Sequence, residues 1–135
     1  MKTLILNGSP RIMGDTAQLI KNITDNIAGE YRMVDTYRCN ISPCIDCRYC
    51  WEEQGCARFF RKEEPVMKAK KGAVVLVGGG DGNVHKPYET ACTLLHHMNC
   101  YDIHKVVYSH NTNERPAIKD EMALSGINSI LNFFS

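Results

Sequence analysis

The chain has 135 residues, of which 44% are apolar, and a formal charge of +1. One domain of that size buries most of its unfolded apolar surface. The balanced charge offers no Lys/Arg surplus for nucleic acid, and no uninterrupted apolar run approaches a membrane span.

Read in chain order, Thr3 to Leu6 is a short apolar run closed by Asn7-Gly8, the pattern of a buried parallel strand. The opening apolar run is too brief for a signal peptide. From Asp15 to Ala28, Leu19, Ile20, Ile23 and Ile27 recur at helical spacing, and Gly29 is the stop signal. Tyr31 to Tyr37 alternates and is rich in β-formers, which predicts a second strand. Residues 39–56 read as a cysteine loop punctuated by Pro43 and Gly55. Ala73 to Val77 is the clearest strand, closed by Gly78-Gly79-Gly80-Asp81-Gly82. A helix with Pro87 in its first turn and Ala91, Leu94, Leu95 and Met98 on one face follows. Ile103 to Tyr108 predicts a further strand. Leu124, Ile127, Leu131 and Phe134 predict a C-terminal helix, weakened by Gly126. Strands alternating with helices imply an α/β fold with a parallel sheet in a single domain over 1–135.

Two stretches carry chemistry. The first is the turn Gly8-Ser9-Pro10-Arg11-Ile12-Met13-Gly14-Asp15-Thr16 between a strand and a helix. Unpaired backbone N–H groups and the positive end of the helix dipole favour an anion there. Ser9 and Thr16 can donate to phosphate oxygens, Arg11 supplies charge, and Gly14 allows close approach. The turn is neither a dinucleotide fingerprint nor a Walker sequence. It also reads as an ordinary connection with Asp15 or Thr16 as the N-cap.

The second stretch is Cys44, Cys47, Cys50 and Cys56, four of the chain's seven cysteines within thirteen positions. Without an export signal such thiols imply a reducing compartment, hence the cytoplasm, and a metal or redox role rather than disulfides. Two-residue gaps let thiolates converge on one centre, and this spacing suits a [4Fe–4S] cluster better than zinc; free thiols are the third reading. Cys39, Cys92 and Cys100 read as core thiols. The glycine turn at Gly79, Gly80, Asp81 and Gly82 ends the central strand, where open α/β sheets bind ligands, and its N–H groups suit a flat ring. The five histidines form no metal-ligand pattern; His110, just past a strand end, is placed to touch a ligand.

These residues resemble a known family. Leu6 to Arg11, Asp15-Thr16, Pro43 to Trp51 and Gly55-Cys56 are similar to the NAD(P)H-dependent FMN reductase and iron–sulfur flavoprotein family, as are Lys71 to Asp81 and Val107 to Asp120. The resemblance implies a flavodoxin-like three-layer sandwich with FMN held by the turn from Ser9 to Thr16, through Ser9, Arg11, Gly14, Asp15 and Thr16. It implies NAD(P)H and an electron acceptor as partners, and a homodimer or homotetramer with flavin sites near subunit contacts. In cluster-bearing members the cysteine motif holds [4Fe–4S] and passes electrons to FMN. No side chain is nominated as acid or base.

The chain departs from the family at one place. A helix, a central strand ending in a Ser-Pro-x-Tyr flavin loop and another helix normally follow the cysteines. Here Cys56 runs straight into Ala57 to Pro65, and the fifteen residues between Cys56 and Gly72 are too few for a βαβ step. The expected sheet is therefore shortened to about four strands. Either the first strand pairs directly with Ala73–Val77 or a partner chain supplies the cover. The competing functional reading is a non-catalytic metal-binding or scaffold protein that has lost FMN binding.

Overall fold

The computed structural model describes residues 2–40 and 69–135. The protein is α/β, with short parallel strands and helices on both faces. Strand β1 (Lys2–Asn7) leads into helix α1 (Asp15–Asn26) and returns as β2 (Glu30–Asp35), which pairs parallel to β1 along its whole length. A 3₁₀ turn, Thr36–Arg38, follows β2. The return after α1 is sharp: Gly29 has φ of 89°, open to glycine without a Cβ penalty.

The remaining strands form a second parallel ribbon. Strand β3 (Lys70–Gly72) pairs with β5 (Cys100–Ile103), and β4 (Val75–Val77) pairs with β6 (Val107–Ser109). The expected single strand over Ala73–Val77 is thus interrupted at Ala73 and Val74, and the strand over Ile103–Tyr108 is interrupted likewise. Register explains the breaks. Lys70 faces Cys100, Lys71 faces Asp102 and Val75 faces Val107, so the second partner gains a residue twice along the ribbon. Each extra residue kinks the chain locally, as in a β-bulge. Bonds from His104 N–H to the Gly72 carbonyl and from Val107 N–H to the Val74 carbonyl bridge the gap.

Helix α2 (His85–His97) joins β4 to β5, and α3 (Glu121–Phe134) closes the described chain. Alternation along residues 72–77 assigns the layers. Ala73, Val75 and Val77 pack against a core of Leu19, Val107, Ala117, Ile127 and Ile130, contributed largely by α1 and α3. Gly72 faces the other way, where a Cβ would lie 3.1 Å from Leu95 of α2. The expected apolar stripe of α3 is present but turned slightly: Ala123, Ile127 and Ile130 are its buried residues, with Leu124, Leu131 and Phe134 beside them. Gly126 is more than a weak helix residue. A Cβ there would come within 2.7 Å of Val107 Cγ2, so glycine lets α3 lie directly on β6.

Of the two arrangements expected around the missing strand, direct pairing of the first strand with Ala73–Val77 does not occur. Among the described residues β1 is hydrogen-bonded to β2 alone, and β4 to β6 alone. The two ribbons are joined instead through α1, which contacts β4, α3 and the 3₁₀ turn Ala117–Lys119. Among the described residues no helix is long and apolar enough to cross a membrane.

Candidate functional site

The carboxyl ends of both ribbons lie at one end of the molecule. Asp15, the first residue of α1, accepts a 2.7 Å hydrogen bond through Oδ1 from the N–H of buried Ala117, in the segment that follows β6. Asp15 is therefore a tether between the turn after β1 and the turn after β6.

Within the β1–α1 turn, side chains shape the backbone. Asn7 Oδ1 accepts from Ser9 N–H at 3.0 Å, while Asn7 Nδ2 donates to Asp35 Oδ1 at 2.8 Å. Ser9 Oγ accepts from Arg11 N–H at 3.4 Å. Gly14 N–H then donates to the Arg11 carbonyl at 3.4 Å, and a Cβ on Gly14 would lie 2.9 Å from Arg11 Cβ. The turn is tight enough to demand glycine. Helix α1 has Gly14 as its N-cap, with no side chain accepting from its first N–H groups. Neither Asp15 nor Thr16 caps it, which corrects the ordinary-cap reading of this turn. An uncapped helix start beside two hydroxyls and an arginine is chemically suited to an anion.

At the end of β4, the glycine turn is held by the segment after β6. Gly78 N–H donates to the Ser109 carbonyl at 2.9 Å, Thr112 N–H to the Gly78 carbonyl at 3.1 Å, and Asn111 N–H to the Gly80 carbonyl at 3.1 Å. Asn111 has φ of 54°, a left-handed conformation that asparagine tolerates. Gly79 lies against the Asn113 amide, and a Cβ there would fall 2.8 Å from its Nδ2. Gly80 and Gly82 face open space, and Asp81 is exposed. His110 stacks at a tilt on Tyr108, ring centroids 4.6 Å apart.

The segment after β6 owes its own rigidity to Asp120. This buried carboxylate accepts from Ser109 Oγ at 2.8 Å and from Arg115 Nη2 at 2.8 Å. It also caps α3 through the N–H groups of Met122 and Ala123. Burial by itself would raise its pKa. The Ser109 and Ala123 hydrogen bonds, the Arg115 charge and the Met122 N–H outweigh burial and hold it below the ordinary carboxylate range. Sequence reading missed Asp120 as a cap; the signal was an Asp directly before the apolar period of the last helix.

A cleft of about 360 Å³ opens on the other flank of the β1–α1 turn, between α1 and β2. Ser9 and Arg11 line it together with Tyr31, Met33, Asp35, Tyr37 and Arg38. Sequence reading did not single out this second set, because its members come together only when β2 lies beside β1.

Cys44, Cys47, Cys50 and Cys56 lie outside the described residues. Among the described residues no three His, Cys, Asp or Glu side chains converge as a metal site. Of the other cysteines, Cys100 is buried as expected, Cys92 is half-buried, and Cys39 is exposed rather than core, its thiol on the Asp35 carbonyl at 3.4 Å.

No family model matches the chain, and no solved structure matches it significantly. Over 81 residues it is 30% identical to a curated protein named iron-sulfur flavoprotein from Methanocaldococcus jannaschii. The match covers 58% of this chain and 42% of that protein, so the chain spans less than half the length of the relative.

Proposed function

We propose that the protein is an FMN-dependent oxidoreductase or electron carrier that uses NAD(P)H. The observation that supports this best is the start of α1: N–H groups left uncapped behind Gly14, flanked by Ser9, Arg11 and Thr16. The similarity to an iron-sulfur flavoprotein points the same way.

The residues present fit the phosphate and one side of a flavin. The first turn of α1 would take the phosphate, with Arg11 as counter-charge and the Ser9 and Thr16 hydroxyls as donors. Asp15 is already committed to Ala117 and would position the turn rather than touch the cofactor. Gly80 and Gly82 meet no described atom that would forbid a side chain, so their smallness leaves room for a planar ring against the backbone of residues 79–82. Bound FMN supplies hydride acceptance from NAD(P)H and onward one- or two-electron transfer. The chain supplies orientation and charge, and no side chain is required as acid or base. Cys44, Cys47, Cys50 and Cys56 enter the proposal through their spacing alone, as ligands of a [4Fe–4S] cluster. A homodimer or homotetramer belongs to the same proposal.

The test is the visible spectrum of anaerobically purified protein, before and after FMN is added and excess removed. A retained flavin band that Thr16→Ala and Arg11→Ala each weaken would support the reading. Iron with acid-labile sulfide would add the cluster. A colourless protein that refuses FMN would replace this reading with the scaffold or metal-module alternative. That alternative draws on one observation: among the described residues no strand is hydrogen-bonded to both β1 and β4.

A further inference from the structure

We infer that the cleft between α1 and β2 is a separate subsite for a nucleoside phosphate. Its floor is apolar, from Met33 and Tyr31, while its rim carries Arg11, Arg38, Tyr37 and Asp35. Each part of such a ligand meets a matching group. Tyr37 is 71% exposed at the cleft edge, an aromatic face left open for a base to stack on. Arg38 is not paired with a carboxylate among the described residues, so its guanidinium is available to phosphate oxygens, while Arg11 on the shared rim belongs to the turn assigned to the flavin phosphate. Lys21, also on the rim, is already bonded to Asp25 at 2.6 Å.

Asp35 is the orienting group. Its Oδ1 is held by Asn7 Nδ2 at 2.8 Å, which leaves Oδ2 for a ribose hydroxyl. Its place is informative: it is the last residue of the strand that lies parallel beside β1, next to the turn that opens α1. In βαβ nucleotide sites a carboxylate at that point takes the ribose hydroxyls, and a nearby arginine takes a 2′-phosphate. The turn here is too unlike the glycine fingerprint to cradle a pyrophosphate in that manner, but the strand-end carboxylate Asp35 and Arg38, which follows β2, do not depend on it. The cleft volume also suits one nucleoside phosphate rather than a whole dinucleotide. If the oxidoreductase reading holds, the nucleotide bound here is the donor's adenosine end; the chemistry of the cleft does not require that reading.

The experiment is a titration of the flavin-free full chain with ADP, followed by calorimetry and by ¹H–¹⁵N amide shifts. Saturable binding is expected, with shifts at Asn7, Asp35, Tyr37 and Arg38. Arg38→Ala and Tyr37→Ala should each weaken it about tenfold or more, given the size of charge-assisted and stacking contacts. Both residues are exposed, and circular dichroism of each variant checks that the fold is retained. Absence of saturable shifts would overturn the inference. Inorganic phosphate competing as well as ADP would also overturn it, leaving a plain anion contact. FMN displacing ADP from the same residues would make the cleft part of the flavin site and overturn a separate subsite. ADP binding in a protein that refuses FMN would sink the oxidoreductase reading and leave this one standing.

Discussion

The two ribbons of this protein are built from similar strands and end up in different states. Around β4, β6, α1 and α3 the packing is closed: Leu19, Ala117, Ala123 and Ile127 are each at most 1% exposed. In the β1–β2 ribbon, Leu4, Leu6, Tyr31 and Met33 are each more than 40% exposed. Both ribbons contain apolar alternation, so composition does not separate them. Coverage does. On the face that carries Tyr31 and Met33 a cleft separates the strands from α1, and the face that carries Leu4 and Leu6 has no described helix on it. A strand contributes stability in proportion to what lies against it, not to how β-like it reads.

The contrast can be tested by substitution, beginning in the closed half. Ile127→Ala should cost about 2–5 kcal/mol, the usual range for emptying a packed site. A urea midpoint unchanged from the parent would mean that this core is not the stabilising one. Asp120→Ala should cost about 2–4 kcal/mol, because it strips the cap from α3 and strands Arg115 and the buried Ser109 hydroxyl. The milder Asp120→Asn gives a pH signature. The folded pKa lies below the unfolded one, so the carboxylate's contribution is complete above about pH 4 to 5 and is lost as pH falls through the folded value. The stability gap between parent and Asn variant should therefore narrow on acidification; a constant gap from pH 7 to about pH 3 would contradict the assignment.

Gly126→Ala is the sharper test of close packing. Alanine gains about 1 kcal/mol in helix propensity. Against Val107 it forces an overpacking cost of about 1–3 kcal/mol. A net loss of stability is expected, and a rise would show that α3 can lift off β6 freely. The smallest effect belongs to the open half. Leu4→Ser should change stability by under about 1 kcal/mol in the isolated chain. A loss as large as that of Ile127→Ala would show that Leu4 is covered in solution, by another copy of the chain or by another part of this one.

Much of the fold was legible from local signals. The period of α1, the stop at Gly29, and the strands around Thr3–Leu6 and Tyr31–Tyr37 all appear within two residues or so of expectation. The interruption at Ala73 and Val74 was not legible, because a register slip is a property of two strands and neither one encodes it alone. The phosphate turn was visible as Ser9, Arg11, Gly14 and Thr16. That Asp15 turns away to Ala117 was not, since its partner lies 102 residues on.

Sequence by itself determined the α/β class, the order of elements, the anion-suited turn after β1 and the glycine turn after β4. Those features rest on neighbours within a few residues, where periodicity and backbone propensity act directly. Tertiary structure alone decided the rest: that Asp35, Tyr37 and Arg38 meet Arg11 across one cleft, and that Asp120 organises the loop after β6. It also decided that β1 pairs with β2 and not with β4 among the described residues. Each of these depends on which strand comes to lie beside which, and that is set by burial and register over the whole chain rather than by any local run of residues.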